Sequence, residues 1–122
     1  MILADANIWI DFFRYRQPAL RNLLENNQVV MHPFLVAELA LGSLHERSRT
    51  LAKLDHMPQL RVANLRDIRR MIEARSLYAQ GIGLTDAHLI ASCLATPGTL
   101  LWTSDARLGK VANSLGISAN MP

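Results

Sequence analysis

Short, unbroken apolar runs that end at a carboxylate, set between segments of helical period, restrict what this chain can fold into. Residues 1–4 form such a run and halt at Asp5, and a second run at 99–103 is followed by Asp105. Runs of this length, bounded by turn signals, read as strands buried on both faces, the habit of parallel sheets. Between them, Ile8, Trp9, Phe12 and Phe13 recur at helical spacing within residues 7–14. Pro18 and Pro33 sit where a missing N–H is no loss and open helices over 18–25 and 33–42. A brief strand is expected at 28–31 and a charged helix at 45–54, broken by Pro58. Asn64 caps a longer helix with Leu65, Ile68, Ile72 and Ala79 on one face. Thr85 caps a helix over 86–95, and a last helix over 106–115 ends at Gly116, before an edge strand. The expected fold is α/β: an α/β sandwich around a short, mostly parallel central sheet flanked by helices.

With 122 residues, half of them hydrophobic and 19% charged, the chain reads as a single domain over 1–122, not a disordered one. Its apolar runs are too short to cross a bilayer, and no basic segment followed by a long apolar stretch marks a secretory leader. The single cysteine, Cys93, excludes an internal disulfide and points to a reducing compartment, so a cytoplasmic location is expected. The net charge is +3, and eleven of the thirteen cations are Arg. The planar guanidinium fork suits phosphate oxygens, which favours an anionic partner over none. Arg14, Arg16 and Arg107 are the candidate phosphate contacts.

Four acids stand where surface residues would not be expected. Glu38 has Phe34 at i−4 and Leu41 at i+3, and Asp86 heads a stripe of Leu89, Ile90, Cys93 and Leu94. A carboxylate on an apolar stripe is costly unless paired or holding a metal. Asp5 and Asp105 fall just past strand ends, where ligands bind in open parallel sheets. Taken singly, Asp5 and Asp105 also read as helix caps, and Asp86 as a favourable charge at a helix start. Taken together, four carboxylates in one cleft repel one another and call for cations. Oxygen-only ligands favour Mg²⁺ or Mn²⁺, which suit phosphodiester hydrolysis. The histidines are scattered, and His88 lies on another helix face from Asp86.

The segment Ala4-Asp5-Ala6-Asn7-Ile8-Trp9-Ile10-Asp11 resembles the opening motif of PIN-domain nucleases. Val36-Ala37-Glu38-Leu39 is similar to their second motif, the stretch from Gly83 to Ala91 around Asp86 to the third, and the stretch from Leu101 to Leu108 around Asp105 to the fourth. Order, spacing and length resemble the VapC toxins of bacterial toxin–antitoxin pairs over nearly the whole chain. The resemblance implies a PIN-like α/β/α sandwich and a Mg²⁺- or Mn²⁺-dependent endoribonuclease that cuts structured cellular RNA, tRNA or rRNA, to inhibit translation. It further implies a homodimer silenced by a cognate antitoxin. Asp5, Glu38, Asp86 and Asp105 carry over as catalytic and metal-binding acids, with Asn7 and Thr103 as supporting residues and Asp11 as a secondary one. Ala6 departs from the pattern, in which Thr is frequent.

Two other readings compete. A PIN-like module that binds RNA or protein without catalysis would keep the fold and lose the acids, yet all four are present. A receiver-type phosphate acceptor needs an adjacent acid pair and a late Lys after a strand. Asp5 has no acidic neighbour and Lys110 follows no strand, which sets that reading aside.

Overall fold

The computed structural model describes residues 1–15 and 17–121. Among them, three short strands, β1 (Ile2–Ala4), β2 (Val29–Val30) and β3 (Leu100–Trp102), form one parallel sheet in the order β2-β1-β3. Seven helices surround it: α1 (Ala6–Tyr15), α2 (Pro18–Glu25), α3 (Pro33–Ala40), α4 (Arg47–His56), α5 (Leu65–Ala74), α6 (Leu84–Ala95) and α7 (Ala106–Ser114). Successive strand residues face opposite sides of a sheet. Leu3 and Ala4, Val29 and Val30, and Leu101 and Trp102 are all buried, so both faces of the sheet are covered. That is the expected helix–sheet–helix layering. Single parallel bridges, Met31 to Gln59 and Leu101 to Ser118, lengthen the sheet by one position at each edge. The edge strand expected after Gly116 is reduced to the second of these.

The strands are shorter than the apolar runs that announce them, because their outer residues turn at once into helix caps. At the end of β2, His32 is fully buried and its Nδ1 accepts the Phe34 N–H at 3.0 Å, capping α3. Its Nε2 meets Ser92 Oγ at 3.1 Å, and that hydroxyl donates to Arg61 O at 2.8 Å. The acceptor role of Nδ1 places the ring proton on Nε2. One imidazole thus fixes the start of α3 against α6. At its other end α3 is closed by the Arg47 guanidinium, which donates to the carbonyls of Ala40 and Gly42.

Three expectations need correction. The helix opened by Asn64 ends at Ala74, not near Ala79, and Leu65 is 57% exposed. Leu77 turns back into the core, donating its N–H to Ile72 O, while Ser76 and Ala79 adopt positive φ. The core demand of Leu77 therefore overrides helical period. Leu41, expected to flank Glu38 on an apolar stripe, is 89% exposed at the end of α3. The helix carrying Asp86 starts at Leu84 with Gly83 as cap, since the Asp86 carboxylate reaches back to the Gly83 N–H at 3.1 Å. Thr85 lies inside the first turn.

Burial, reinforced by the nearby His88 charge, lowers the pKa of His32 from its usual 6.5 to about 4. The unfolded chain takes up that proton near 6.5 and the folded one resists it, so stability is full above 6.5 and is lost as pH falls through this window. Burial shifts His88 in the same direction. In urea denaturation, wild type should lose on the order of 3 kcal/mol between pH 7 and 4 through His32. His32→Asn, which keeps an oxygen for the Phe34 amide, should flatten that acid limb. An unchanged limb would remove His32 as its source.

Candidate active site

The first of the four acids is placed by the sheet itself. Ala4 pairs with Trp102, and the Asp5 N–H donates to Trp102 O at 2.8 Å, which carries the β1–β3 ladder one position further. Asp5 then starts α1, its carbonyl accepting from Ile8 and Trp9. Its side chain is buried at 8% exposure. Oδ1 accepts the Ala6 N–H at 2.7 Å and Oδ2 the Thr103 hydroxyl at 2.9 Å. The same Thr103 oxygen accepts the Asp105 N–H at 3.0 Å. One hydroxyl therefore ties the ends of the two neighbouring strands together.

Asp105 is the N-cap of α7. Its Oδ1 accepts from Arg107 N at 2.8 Å and Leu108 N at 3.1 Å, and it stands exposed. The cap reading of this residue is correct as far as it goes. It engages one oxygen, and the hydrogen bonds among the described residues leave Oδ2 over. Asp86 is similar: Oδ2 takes the Gly83 N–H, and Oδ1 has no such partner. A single carboxylate can thus cap a helix and still offer an oxygen to something else.

Glu38 lies on α3 with an exposed side chain, yet enough protein surrounds its head for desolvation to lead the causes that raise its pKa. The Asp5 charge and, more weakly, Asp86 push it the same way, while a hydrogen bond with Thr85 opposes them. Burial also leads in raising Asp86, opposed by the Gly83 N–H and helped by the charges of Asp5 and Asp105. Asp5, at the end of β1, thus acts on both Glu38 of α3 and Asp86 of α6, and Asp105, beyond β3, acts on Asp86. Asp11 is exposed on α1 and is not among the charges that shift Glu38 or Asp86. Asn7 is exposed on the first turn of α1. His88 is buried, with its ring tilted at 44° to that of Phe34 and their centroids 4.2 Å apart.

Sequence reasoning misses Thr85 as a site residue, because its position beside Asp86 suggests a cap. Thr85 lies in the first turn of α6 and acts against the rise in the Glu38 pKa. Arg107 stands out in the sequence for its charge, but nothing there shows how Gly81 holds it. A Cβ at Gly81 would lie 2.5 Å from Arg107 Cδ, so the Arg side chain lies flat on bare backbone.

The donor set is wholly oxygen, and burial, helped by neighbouring charge, raises the proton affinity of Glu38 and Asp86. Both features suit a hard divalent cation. No three His, Cys, Asp or Glu side chains among the described residues stand close enough together to enclose an ion. An ion bound there would have few protein ligands, with water completing its shell, an arrangement that Mg²⁺ accepts.

The profile of the PIN domain matches residues 2–114. The chain belongs to the PIN-domain family. Two proteins called Ribonuclease VapC32, from Mycobacterium tuberculosis strains CDC 1551 / Oshkosh and ATCC 25618 / H37Rv, are each 34% identical over 118 residues, covering 97% of this chain and 95% of theirs. At that identity and coverage the chain is a VapC-type PIN-domain protein, and its parallel sheet with flanking helices is the PIN-like α/β/α fold. No helix among the described residues is long and apolar enough to cross a membrane.

Raised carboxylate pKa values mean that the folded protein holds protons more tightly than the unfolded chain, so ionisation of Glu38 and Asp86 costs stability as pH rises through their folded values. At neutral pH in EDTA, Glu38→Gln and Asp86→Asn should each be more stable than wild type, by at most about 1 kcal/mol given their exposure. Saturating divalent ion should reverse the order in thermal melts. Variants that are less stable than wild type in EDTA would contradict the burial and charge effects that raise these pKa values.

Proposed function

We propose that this protein is a Mg²⁺- or Mn²⁺-dependent endoribonuclease toxin. Its 1–122 chain is one nuclease domain, and Asp5, Glu38, Asp86 and Asp105 are its metal-binding and catalytic acids. The observation that carries this reading is that the charges of Asp5, Asp86 and Asp105, from two strand ends and a helix, act on the partly buried heads of Glu38 or Asp86. The family match and the ribonuclease name of the relatives support it.

A divalent ion held there would polarise a phosphodiester and make a water a better nucleophile at neutral pH. The protein's part is to position oxygens. Asp5 is held rigid by Ala6 N–H and Thr103, which fixes both its oxygens before any ligand arrives. Asp86 and Asp105 are pinned through one oxygen each and present the other. Glu38 is exposed, so its carboxyl is open to water, and its pKa is raised, mainly by partial burial of its head. Thr103 and Thr85 support the acids; Asn7 and Asp11 stand one helical turn apart beyond Asp5, where supporting contacts to RNA or ions remain open to them.

The substrate class is structured cellular RNA, tRNA or rRNA, whose cutting would inhibit translation. Arg14 is exposed, while Arg16 lies outside the described residues. A cognate antitoxin would act in the cytoplasm on a toxin homodimer. Ile10, Phe13, Arg14, Glu38, Leu39 and Gly42 line a groove of about 240 Å³ between α1 and α3 that leads to Glu38. Ile8, Trp9, Leu35 and Leu39 are committed to the core, so the residues left facing this groove are those open to a partner helix. A cation from that partner would pair with the acids and oppose metal entry.

Purified protein should cut RNA with Mg²⁺ or Mn²⁺ and not in excess EDTA, and Asp5→Asn or Asp86→Asn should abolish cutting in a folded protein. Thr103→Val, which removes the hydroxyl that orients Asp5, should cost about 10- to 100-fold in metal affinity or activity. Sequencing the RNA 5′ ends that appear on induction identifies the substrate. Metal-independent cutting by pure protein would overturn the metal mechanism, and normal growth under strong induction of folded protein would favour a binding module.

A further inference from the structure

The loop before α6 and the first turns of α7 border an open cavity of about 620 Å³ lined by Ala79, Gln80, Gly81, Arg107 and Lys110. Its two cations are exposed, and the ion pairs found among the described residues involve neither. Arg107 is not simply a solvated arm. Its Cδ, Nε and one terminal nitrogen all crowd the place where a side chain at residue 81 would begin, and Gly81 has φ +78°. Gly81 therefore serves two ends at once: it makes the turn and leaves the flat bed on which the guanidinium rests.

The walls of this cavity are the segments that carry two of the acids. Two residues after Gly81, the Gly83 N–H holds Asp86; the Arg107 N–H itself holds Asp105. An RNA strand cut at the acids would bring further phosphates past a cleft whose own charge repels them. A fixed cationic fork beside that cleft offsets the repulsion and sets the strand's register.

We propose that this cavity seats a backbone phosphodiester of the RNA strand adjoining the one that is cut, with Arg107 as the orienting contact and Lys110 as the second. The proposal rests on the nuclease reading for its substrate. Its test is a binding measurement that does not need turnover.

Binding of a fluorescently labelled single-stranded RNA is titrated against salt in the Asp5→Asn background, with the RNA checked for integrity. Removing one cation that neutralises a phosphate of a single strand reduces the slope of log K against log[salt] by about 0.7. Arg107→Gln, which keeps the packing on Gly81 without the charge, should lower the slope by that amount, and the double change with Lys110→Gln by about 1.4. Arg107→Lys should restore most of the slope. Unchanged slopes, or an Arg107→Lys protein as impaired as Arg107→Gln, overturn the proposal. If wild type cuts RNA with Mg²⁺ while the slopes coincide, the cavity proposal fails alone. A slope change without any metal-dependent cutting keeps the cavity and removes the nuclease reading, and no binding of this RNA at all removes the cavity proposal.

Discussion

The parallel register between β1 and β3 is the constraint on which the rest of the site depends. Because Ala4 pairs with Trp102, the next residue of each strand leaves the sheet at the same level, and Asp5 meets Thr103 across a 2.9 Å hydrogen bond. A slip of one residue would turn Asp5 into the opposite face and break that contact. The order β2-β1-β3 puts the reversal of strand order at β1, the position beyond which open parallel sheets seat their ligands, and Asp5 follows that strand. The helices α3 and α6 then need only lean over this edge to bring Glu38 and Asp86 within each other's field.

Local structure and chemistry share the same atoms here. Asp86 and Asp105 are good capping residues, and the fold uses them as caps, yet a cap consumes one carboxylate oxygen. What remains is a set of acids anchored by helix starts and still competent as ligands. The arrangement also explains why such a site tolerates its own repulsion. Backbone N–H donors at Ala6, Gly83, Arg107 and Leu108 give each anchored carboxylate a partial positive charge to rest on. Glu38 has no such backbone donor among the hydrogen bonds of the described residues, and burial of its head raises its pKa.

Much of this is legible in the sequence. Proline at 18 and 33 sets helix starts that the structure reproduces, and the apolar runs at 2–4 and 100–102 mark the paired strands. The acids stand out because each interrupts an apolar pattern. Other details depend on tertiary contacts that no local pattern contains. Leu77 abandons the α5 period to fill the core, His32 caps a helix through its ring, and Leu41 escapes to solvent just where the stripe predicts burial. The seat of Arg107 on Gly81 joins residues far apart in sequence, and a lone glycine in a loop carries no sign of it.

The central claim is that Asp5, Glu38, Asp86 and Asp105 act together on a divalent ion. Crystals grown with Mn²⁺ and measured at a wavelength where manganese scatters anomalously test this directly. The account predicts an anomalous peak within coordination distance of the Asp5 carboxylate and at least one of the other three acids, and its loss in Asp5→Asn crystals. Manganese bound elsewhere, or no peak at these carboxylates at saturating metal, would contradict it.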